Sequence, residues 1–318
     1  MFKQTFAQYL DSFYVTNVQV ATVWTNPTSA RELDQSATSN PTDIDQWLAR
    51  QSYDDKLALC DENRVQSQLL YGEIAIVTET KGEWANVTIP SQPSKKAEDG
   101  YPGWVPLKQL SKVHQGDWNK PIMAAVSANH TWLETETGEK VLKLSYMTCL
   151  PMMDSNKQRI QVVTPHGNLF LPRRDITLFE TEKGKESGSG SSIITAGERF
   201  IGLEYLWGGM SSFGYDCSGF AYAMHKANGY TISRDASDQA ANGKEIPLDE
   251  LSPGDLLFFA YQEGKGNIHH VGFYYGDGQM LHSPQTGKQI EVTTLANTKY
   301  EKELCMARRY WETGGVCE

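Results

Sequence analysis

A Gly/Ser-rich stretch, TEKGKESGSGSS (181–192), divides this sequence into two regions of different character. Before it, apolar and polar residues alternate in short runs, which is typical of antiparallel β structure. After it, helix-like runs come first and strand-like runs follow, which predicts an α+β domain. Because Gly/Ser-rich segments behave as flexible linkers, the sequence predicts a multidomain protein.

The first region is predicted to form two small β-barrels. The run GEIAIVTETKGEWANVTIP (72–90) alternates, turns at Lys81-Gly82 and alternates again, which predicts a hairpin. Similar runs follow as far as the Gly/Ser-rich stretch. The predicted units are a first barrel that includes a helical N-terminal segment and an insertion (1–115), a second barrel (116–182), the linker (183–192) and the α+β domain (193–318).

The insertion in the first barrel lies between Pro27 and Leu70 and has a less β-like pattern. Within it, NPTDIDQWLARQ (40–51) predicts a short helix, and Asn40 or Thr42 is the expected N-cap because both side chains can accept a hydrogen bond from the first turn.

Composition narrows the classes of function that this chain of 318 residues can have. The formal net charge is −10, whereas a general nucleic-acid binder usually carries a basic face. No apolar run approaches the ~18 residues of a membrane span, and the first residues lack a signal-peptide pattern. We therefore expect no nucleic-acid partner and no membrane span. We also expect a monomer. It is expected to be cytoplasmic, or secreted or wall-associated if a leader has been removed.

The five cysteines are scattered, odd in number and never spaced as C-x-x-C. This pattern argues against a disulfide framework and against a local zinc site. We expect no cofactor and no structural metal.

Cys217 is the cysteine whose surroundings suggest chemistry. It stands between Asp216 and Ser218 at the start of the helix-like run CSGFAYAMHKANG (217–229). The free N–H groups and the dipole of a helix start stabilise a thiolate, and either polar neighbour could cap the helix. A carboxylate beside the thiol raises its pKa, so we expect Asp216 to point elsewhere, toward a substrate. The position is equally compatible with a buried, inert cysteine.

A thiol nucleophile needs a base, and the three candidates are His269, His270 and His282. His225 lies on the Cys217 helix about 12 Å along its axis, which is too far. In NIHHVGFYYG the side chains alternate, and the less apolar row favours His270 over His269 without deciding between them. His282, across the following turn, could pair beside His270 and orient its ring.

The same three residues, Cys217, His270 and His282, could instead form a Cys-His-His zinc set. The absence of locally paired ligands weakens this alternative, but the spacing does not exclude it.

Several motifs together resemble a known family. YLWGGMSSFGYDCSGF, LSPGDLLFF and HHVGFYYGDGQMLHSP occur in the order found in the NlpC/P60 cell-wall peptidases, which are papain-like cysteine peptidases of α+β fold. This match runs from 195 to 311. The motifs LLYGE (69–73) and GYPGWVP (100–106) resemble the paired bacterial SH3-like (SH3b) domains of one subgroup, the γ-D-glutamyl-L-diamino-acid endopeptidases of the YkfC type.

The resemblance implies roles for individual residues. Cys217 is the nucleophile that attacks the isopeptide carbonyl after D-glutamate, His270 the base and His282 its orienter. The implied substrate-binding residues are Tyr205, which also helps with the oxyanion, Trp207, Asp216, Ser218, Arg234 and Asp235. Many members carry a hydroxyl residue where this chain has Ala236, so one substrate hydrogen bond is in doubt unless Ser237 replaces it.

The subgroup recognises the free amine of the substrate's L-alanine with a Glu and a Tyr of its first SH3b domain. The nearest matches are Glu73 and Tyr101. The resemblance thus predicts hydrolysis of the bond between γ-D-glutamate and L-lysine or meso-diaminopimelate in released murein peptides, in cell-wall peptide recycling or turnover. Two alternatives stay open: a wall-binding SH3b protein with a degenerate catalytic domain, and a thiol amidase or acyltransferase acting on another substrate.

Overall fold

A computed structural model describes residues 12–312 of the chain, and the expected helical N-terminal segment lies partly outside them. The strands are β1 (Ser12–Thr16), β2 (Val20–Trp24), β3 (Val65–Leu70), β4 (Ile74–Lys81), β5 (Trp84–Ile89), β6 (Tyr101–Pro106), β7 (Leu110–His114), β8 (Ile122–Val126), β9 (His130–Glu134), β10 (Lys140–Ser145), β11 (Cys149–Ser155), β12 (Arg159–Thr164), β13 (Gly167–Pro172), β14 (Ile176–Glu180), β15 (Met210–Ser211), β16 (Gly214–Tyr215), β17 (Lys244–Ile246), β18 (Leu256–Ala260), β19 (Ile268–Gly276), β20 (Gln279–His282), β21 (Glu291–Thr294) and β22 (Leu304–Arg309). The helices are α1 (Gln35–Thr38), α2 (Ile44–Arg50), α3 (Tyr53–Asp61), α4 (Gln115–Trp118), α5 (Gly190–Glu198), α6 (Cys217–Ala227), α7 (Ala236–Ala241), α8 (Tyr261–Gly264) and α9 (Lys299–Glu303).

The first two units are seven-stranded antiparallel sheets, in the orders β3-β2-β6-β5-β4-β1-β7 and β10-β9-β13-β12-β11-β8-β14. The predicted hairpin is confirmed: β4 pairs with β5, and Lys81 lies opposite Trp84. Gly82 in the turn has a φ of 59°, a left-handed conformation that glycine adopts without strain. The period-2 alternation of the sequence therefore predicted this hairpin correctly.

The insertion carries helices α1 to α3 between β2 and β3. The helix predicted within residues 40–51 is α2, but its N-cap is Asp43, whose carboxylate accepts a hydrogen bond from Gln46 N at 2.9 Å. The predicted caps are wrong because both side chains are placed elsewhere. Asn40 donates to Lys108 O at 2.7 Å, and the Thr42 hydroxyl is buried.

The third unit is built on a six-stranded sheet, in the order β17-β22-β18-β19-β20-β21, with helices packed on it. Helix α6 lies against β19, where Phe220 contacts Phe273 edge to face at a centroid distance of 5.7 Å. Helices α5, α6 and α7 precede the six-stranded sheet, as the α+β prediction expects, whereas the short helices α8 and α9 connect strands within it.

Helix α5 begins at Gly190, inside the range expected to be a flexible linker. Ser189 caps it by accepting a hydrogen bond from Ser192 N at 3.2 Å, and Gly188 N donates to Asn228 O at 3.0 Å. The end of the Gly/Ser-rich stretch is therefore ordered, because serine is a good N-cap and the neighbouring loop supplies an acceptor.

The three units pack on one another. Tyr146 and Met147, in the turn between β10 and β11 of the second unit, join the core of the α+β domain. Leu206 and Phe213 of that domain join the core beneath the insertion. Within residues 12–312, no helix is both long and apolar enough to cross a bilayer.

Candidate active site

Cys217 is the first residue of α6, and Asp216 is its N-cap. The Asp216 carboxylate accepts a hydrogen bond from Gly219 N at 2.6 Å, as a capping side chain does. The position at the helix start is the one expected from the sequence. The thiol therefore lies where the backbone N–H groups of the first turn are not used by the helix itself.

The charge of Asp216 is matched by Arg234. Nη2 of Arg234 lies 2.6 Å from Asp216 Oδ2, and Nη1 lies 3.2 Å from Oδ1. Nη1 also donates to the Ser218 hydroxyl at 2.9 Å, and Nε donates to the hydroxyl of Ser67 in strand β3 at 3.0 Å. Arg234 is 1% exposed. The carboxylate is thus paired with a buried guanidinium that also connects the first sheet to this domain.

His270 and His282 contact each other directly. Nε2 of His270 lies 2.8 Å from Nδ1 of His282, and Nε2 of His282 lies 3.2 Å from the Thr293 hydroxyl. When His270 carries its proton on Nε2, it donates to His282, which then donates to Thr293. This series of hydrogen bonds leaves Nδ1 of His270 unprotonated, so that nitrogen can accept a proton.

The alternation along β19 separates the two adjacent histidines. His270 faces His282, whereas His269 stacks on Tyr261 at a centroid distance of 4.1 Å and lies 3.3 Å from the Glu303 carboxylate. The two adjacent rings thus lie on opposite faces of the strand, and only His270 contacts His282.

The thiol and the histidine strand meet at Val271, the residue after His270. Burial raises the pKa of the Cys217 thiol to about 12, and the Asp216 carboxylate adds to this rise. The backbone N–H groups of Val271 and Ser218, together with the Arg234 guanidinium, act in the opposite direction. An interaction with the Val271 amide requires the sulfur to lie beside β19, at the level of His270.

Both imidazoles are neutral at neutral pH. Burial, followed by the neighbouring His282, holds the pKa of His270 well below its usual value. Burial and the Lys299 ammonium lower the pKa of His282 to about 3. With a thiol pKa of about 12, the resting pair is a neutral thiol and a neutral imidazole. Proton transfer would then accompany attack on a substrate.

The two aromatic residues of the YLWGG motif have different surroundings. Tyr205 is buried, and burial, followed by charge on Cys217, raises the pKa of its phenol well above the usual value. It therefore lies near the thiol. Trp207 instead donates its indole N–H to Val65 O in β3 at 3.0 Å, so it spans the junction with the first sheet.

Asp235 and Tyr101 lie on the far side of Arg234. The Tyr101 hydroxyl donates to the Asp235 carboxylate at 3.1 Å. Tyr101 belongs to strand β6, so this hydrogen bond joins the first sheet to the catalytic domain.

Glu73 is not brought to the thiol. Its carboxylate lies 2.7 Å from the Lys226 ammonium and accepts a hydrogen bond from Leu70 N at 2.8 Å. Lys226 is at the other end of α6, about 13 Å along the helix axis from Cys217. Both partners are largely buried, so Glu73 already has a cationic partner, which joins the first sheet to α6.

Sequence reasoning missed the groups that shape the histidine pair. Tyr300 of α9 packs against His270 and His282 at centroid distances of 5.5 and 5.2 Å. Gly272 leaves room for His282, since a Cβ at position 272 would lie 2.9 Å from the Cβ of His282. The glycine in HHVGF could have indicated a close approach between neighbouring strands. Nothing in the sequence around Tyr300 indicates that it packs against the two histidines.

The zinc alternative finds no support in this arrangement. In the described part of the chain, no group of three or more His, Cys, Asp or Glu side chains is arranged to hold a metal ion. The nitrogen of His270 that faces His282 is used in a hydrogen bond between the rings.

A thiol at a helix start, a neutral imidazole on the adjacent strand and a group that orients the imidazole define a papain-like thiol hydrolase. Family comparisons agree with this class. The model of the NlpC/P60 family matches residues 202–309, that of the YkfC SH3b2 domain residues 126–179, and that of the bacterial dipeptidyl-peptidase SH3 domain residues 61–110.

Relatives match nearly the whole chain. A γ-D-glutamyl-L-lysine dipeptidyl-peptidase of Bacillus subtilis is 48% identical over 91% of this chain and 96% of its own length. A protein of the same name from Bacillus cereus is 36% identical over 94% of this chain and 91% of its own length. A crystal structure of an NlpC/P60 family protein from Bacillus cereus has a TM-score of 0.90, with 36% identity, and covers 94% of this chain and 99% of that one. This chain belongs to the NlpC/P60 family of cysteine peptidases and has two SH3b domains before the catalytic domain.

Proposed function

We propose that this protein hydrolyses the bond between γ-D-glutamate and the L-diamino acid of murein peptides that have a free N-terminal L-alanine. The observation that carries the proposal is the hydrogen-bonded His270–His282 pair on the strand whose Val271 amide interacts with the Cys217 thiol. The Tyr101–Asp235 hydrogen bond between the first SH3b domain and the catalytic domain supports it. The names of the two Bacillus relatives support the choice of bond.

Acylation starts when Nδ1 of His270 takes the proton of the Cys217 thiol as the sulfur attacks the isopeptide carbonyl carbon. The C–S bond forms, and negative charge develops on the carbonyl oxygen. The backbone N–H of Cys217 and the Tyr205 hydroxyl are the proposed donors to that oxygen. The C–N bond then breaks, and the His270 imidazolium gives its proton to the leaving amine of the diamino acid.

Deacylation reverses the proton path. A water molecule loses a proton to His270 and attacks the thioester carbonyl, after which the C–S bond breaks and the Cys217 sulfur recovers the proton. His282 keeps the His270 ring in the required tautomer throughout, because Nδ1 of His282 accepts a hydrogen bond from the Nε2–H group of His270. The released products are L-Ala-D-Glu and a peptide or amino acid that begins with the diamino acid.

The acyl part of the substrate is proposed to lie along Ser218, Asp235 and Tyr101. Arg234 already makes four hydrogen bonds within the protein, so its main contribution is to hold Asp216 and the loop that precedes α7. We infer that Glu73 has a structural role, because Lys226 occupies its carboxylate.

The proposal is tested with L-Ala-γ-D-Glu-L-Lys and its meso-diaminopimelate analogue, with the products identified by mass spectrometry. We expect L-Ala-D-Glu and the free diamino acid from the wild type, and no turnover from Cys217→Ala with unchanged folding. Cys305→Ala is the matched control, since that thiol hydrogen-bonds Phe258 O away from the site. Cleavage at a different bond, or full activity of Cys217→Ala, would contradict the proposal.

The free N-terminus is tested separately with an N-acetylated tripeptide. If the enzyme acts on released peptides in recycling or turnover, the acetylated peptide is hydrolysed much more slowly, because its nitrogen no longer carries the ammonium group that Tyr101 and Asp235 are proposed to bind. Equal rates of hydrolysis for the free and the acetylated peptide would show that the enzyme does not recognise the N-terminal amine.

A further inference from the structure

The loop between β5 and β6 is attached to the catalytic domain by its backbone. Pro93 O accepts a hydrogen bond from Arg234 N at 2.9 Å, and Lys95 N donates to the Asp238 carboxylate at 2.9 Å. Ser91 O accepts a hydrogen bond from the Tyr222 hydroxyl. These contacts fix the path of the loop, so the next side chain, that of Lys96, starts from a defined position.

The Lys96 ammonium lies among three oxygen acceptors. It is 3.0 Å from Asp235 Oδ2 and 3.0 Å from Gln66 Oε1, and it also hydrogen-bonds the Tyr101 hydroxyl. The ammonium lies 4.3 Å from the centroid of the Tyr101 ring. Because the Tyr101 hydroxyl donates its own proton to Asp235, its lone pairs are free to face the ammonium. A carboxylate, an amide oxygen, a phenol oxygen and an aromatic face together make a binding site for an ammonium group.

This ammonium site is continuous with the catalytic residues. Asp235 follows Arg234, and Arg234 is paired with Asp216, the cap of the Cys217 helix. The Lys96 side chain is 37% exposed, whereas Tyr101 beneath it is 1% exposed. Tyr101 is therefore fixed by packing, whereas the Lys96 side chain extends to the ammonium site from the solvent-exposed surface.

We propose that Lys96 is a displaceable internal occupant of this ammonium site and competes with the N-terminal ammonium of the substrate. The inference rests on the proposed function, in which Tyr101 and Asp235 line the acyl side of the cleft. Two ammonium groups cannot share these three oxygens, since like charges a few ångströms apart repel. The flexible, partly exposed lysine side chain is the one that can leave.

Competition of this kind affects binding and leaves the chemical step unchanged. A substrate with a free amine must displace Lys96 before it binds, which raises KM without changing kcat. A substrate whose amine is acylated has no group to place among the three oxygens and gains nothing when Lys96 is removed. Lys96 thereby sets how strongly the enzyme prefers free-amine peptides.

The test compares Lys96→Met, which keeps the apolar part of the side chain, with Lys95→Met as the matched control. Lys95 is the adjacent lysine and is paired with Asp238, with 70% of its side chain exposed. For L-Ala-γ-D-Glu-L-Lys we expect Lys96→Met to lower KM about two- to fivefold, the equivalent of one exposed ion pair, with kcat unchanged. The N-acetylated peptide should show no such gain, and Lys95→Met should match the wild type for both peptides.

An unchanged or higher KM for Lys96→Met, with wild-type turnover of the tripeptide intact, overturns this inference and leaves the proposed function standing. A wild type that does not cleave the tripeptide overturns both. A binding measurement provides a second readout: in the Cys217→Ala protein, saturating tripeptide should increase the acetylation of Lys96 by an amine-reactive reagent and leave that of Lys95 unchanged. Protection of Lys96 by the tripeptide would contradict displacement.

Discussion

The carboxylate of Asp216, the residue before Cys217, forms a two-point ion pair with the Arg234 guanidinium, at 2.6 and 3.2 Å. This pair accounts for an aspartate next to a cysteine. The carboxylate caps α6 while the guanidinium neutralises its charge, so the rise that Asp216 causes in the thiol pKa is partly offset by Arg234. The same guanidinium reaches Ser67, so the pair also joins the first SH3b domain to the catalytic domain.

Arg234→Met should destabilise the protein by about 3–5 kcal/mol, because it leaves a buried carboxylate without its partner. It should also reduce kcat/KM, since the helix start that carries Cys217 loses its support. Chemical denaturation and peptide hydrolysis measure the two effects. Arg174→Met is the control: this arginine is 86% exposed beside Asp175 and should change stability by less than about 1 kcal/mol. A similar loss in both variants would contradict the role of the buried pair.

His270→Ala should lower kcat by about 10²–10⁴-fold, the usual contribution of a general base. His269→Ala is its natural control, because the adjacent ring faces Tyr261 and Glu303 and should leave kcat close to the wild-type value. Steady-state hydrolysis of the tripeptide distinguishes the two. If His269→Ala were the more damaging change, the assignment of the base would be wrong.

Gly272→Ala should lower kcat by about 10- to 100-fold, since the added methyl group would lie 2.9 Å from His282 Cβ and 3.2 Å from Met280 Sδ. The methyl group pushes His282 away from His270 and loosens the ring that must face the thiol. In Gly116→Ala the new methyl group meets nothing within 4 Å, so this control should keep full activity. Wild-type kcat in Gly272→Ala would show that the spacing of the two strands is not critical.

The acid limb of kcat/KM should lie well below pH 6.5. In the proposed mechanism neutral His270 is the base and its protonated form is inactive, so activity is present above the pKa of His270 and is lost as the pH falls through it. Burial lowers that pKa, and this extends activity toward acid. A pH profile measured on the tripeptide checks this expectation. A half-maximal point at or above pH 6.5 would mean that the imidazole is more solvated than the structure indicates.

Much of this architecture could be predicted from local patterns. The β4–β5 hairpin followed from alternation and a glycine turn, and the place of Cys217 at a helix start followed from apolar spacing and its polar neighbours. These signals act over about ten residues, a distance at which backbone geometry dictates which side chains share a face. The ordered motifs around the cysteine and the histidines then indicated the family.

The contacts between the first SH3b domain and the catalytic domain depend on how the two domains pack together. No local sequence pattern predicts that packing. Glu73 pairs with Lys226, 153 positions away in the sequence, and the ammonium of Lys96 reaches Asp235 across the same junction. A carboxylate next to a strand end looks the same in the sequence whether it meets solvent, a substrate amine or a lysine of another domain. Its partner is fixed only when the chain folds, because buried charges must be matched wherever the packing of the domains brings them together.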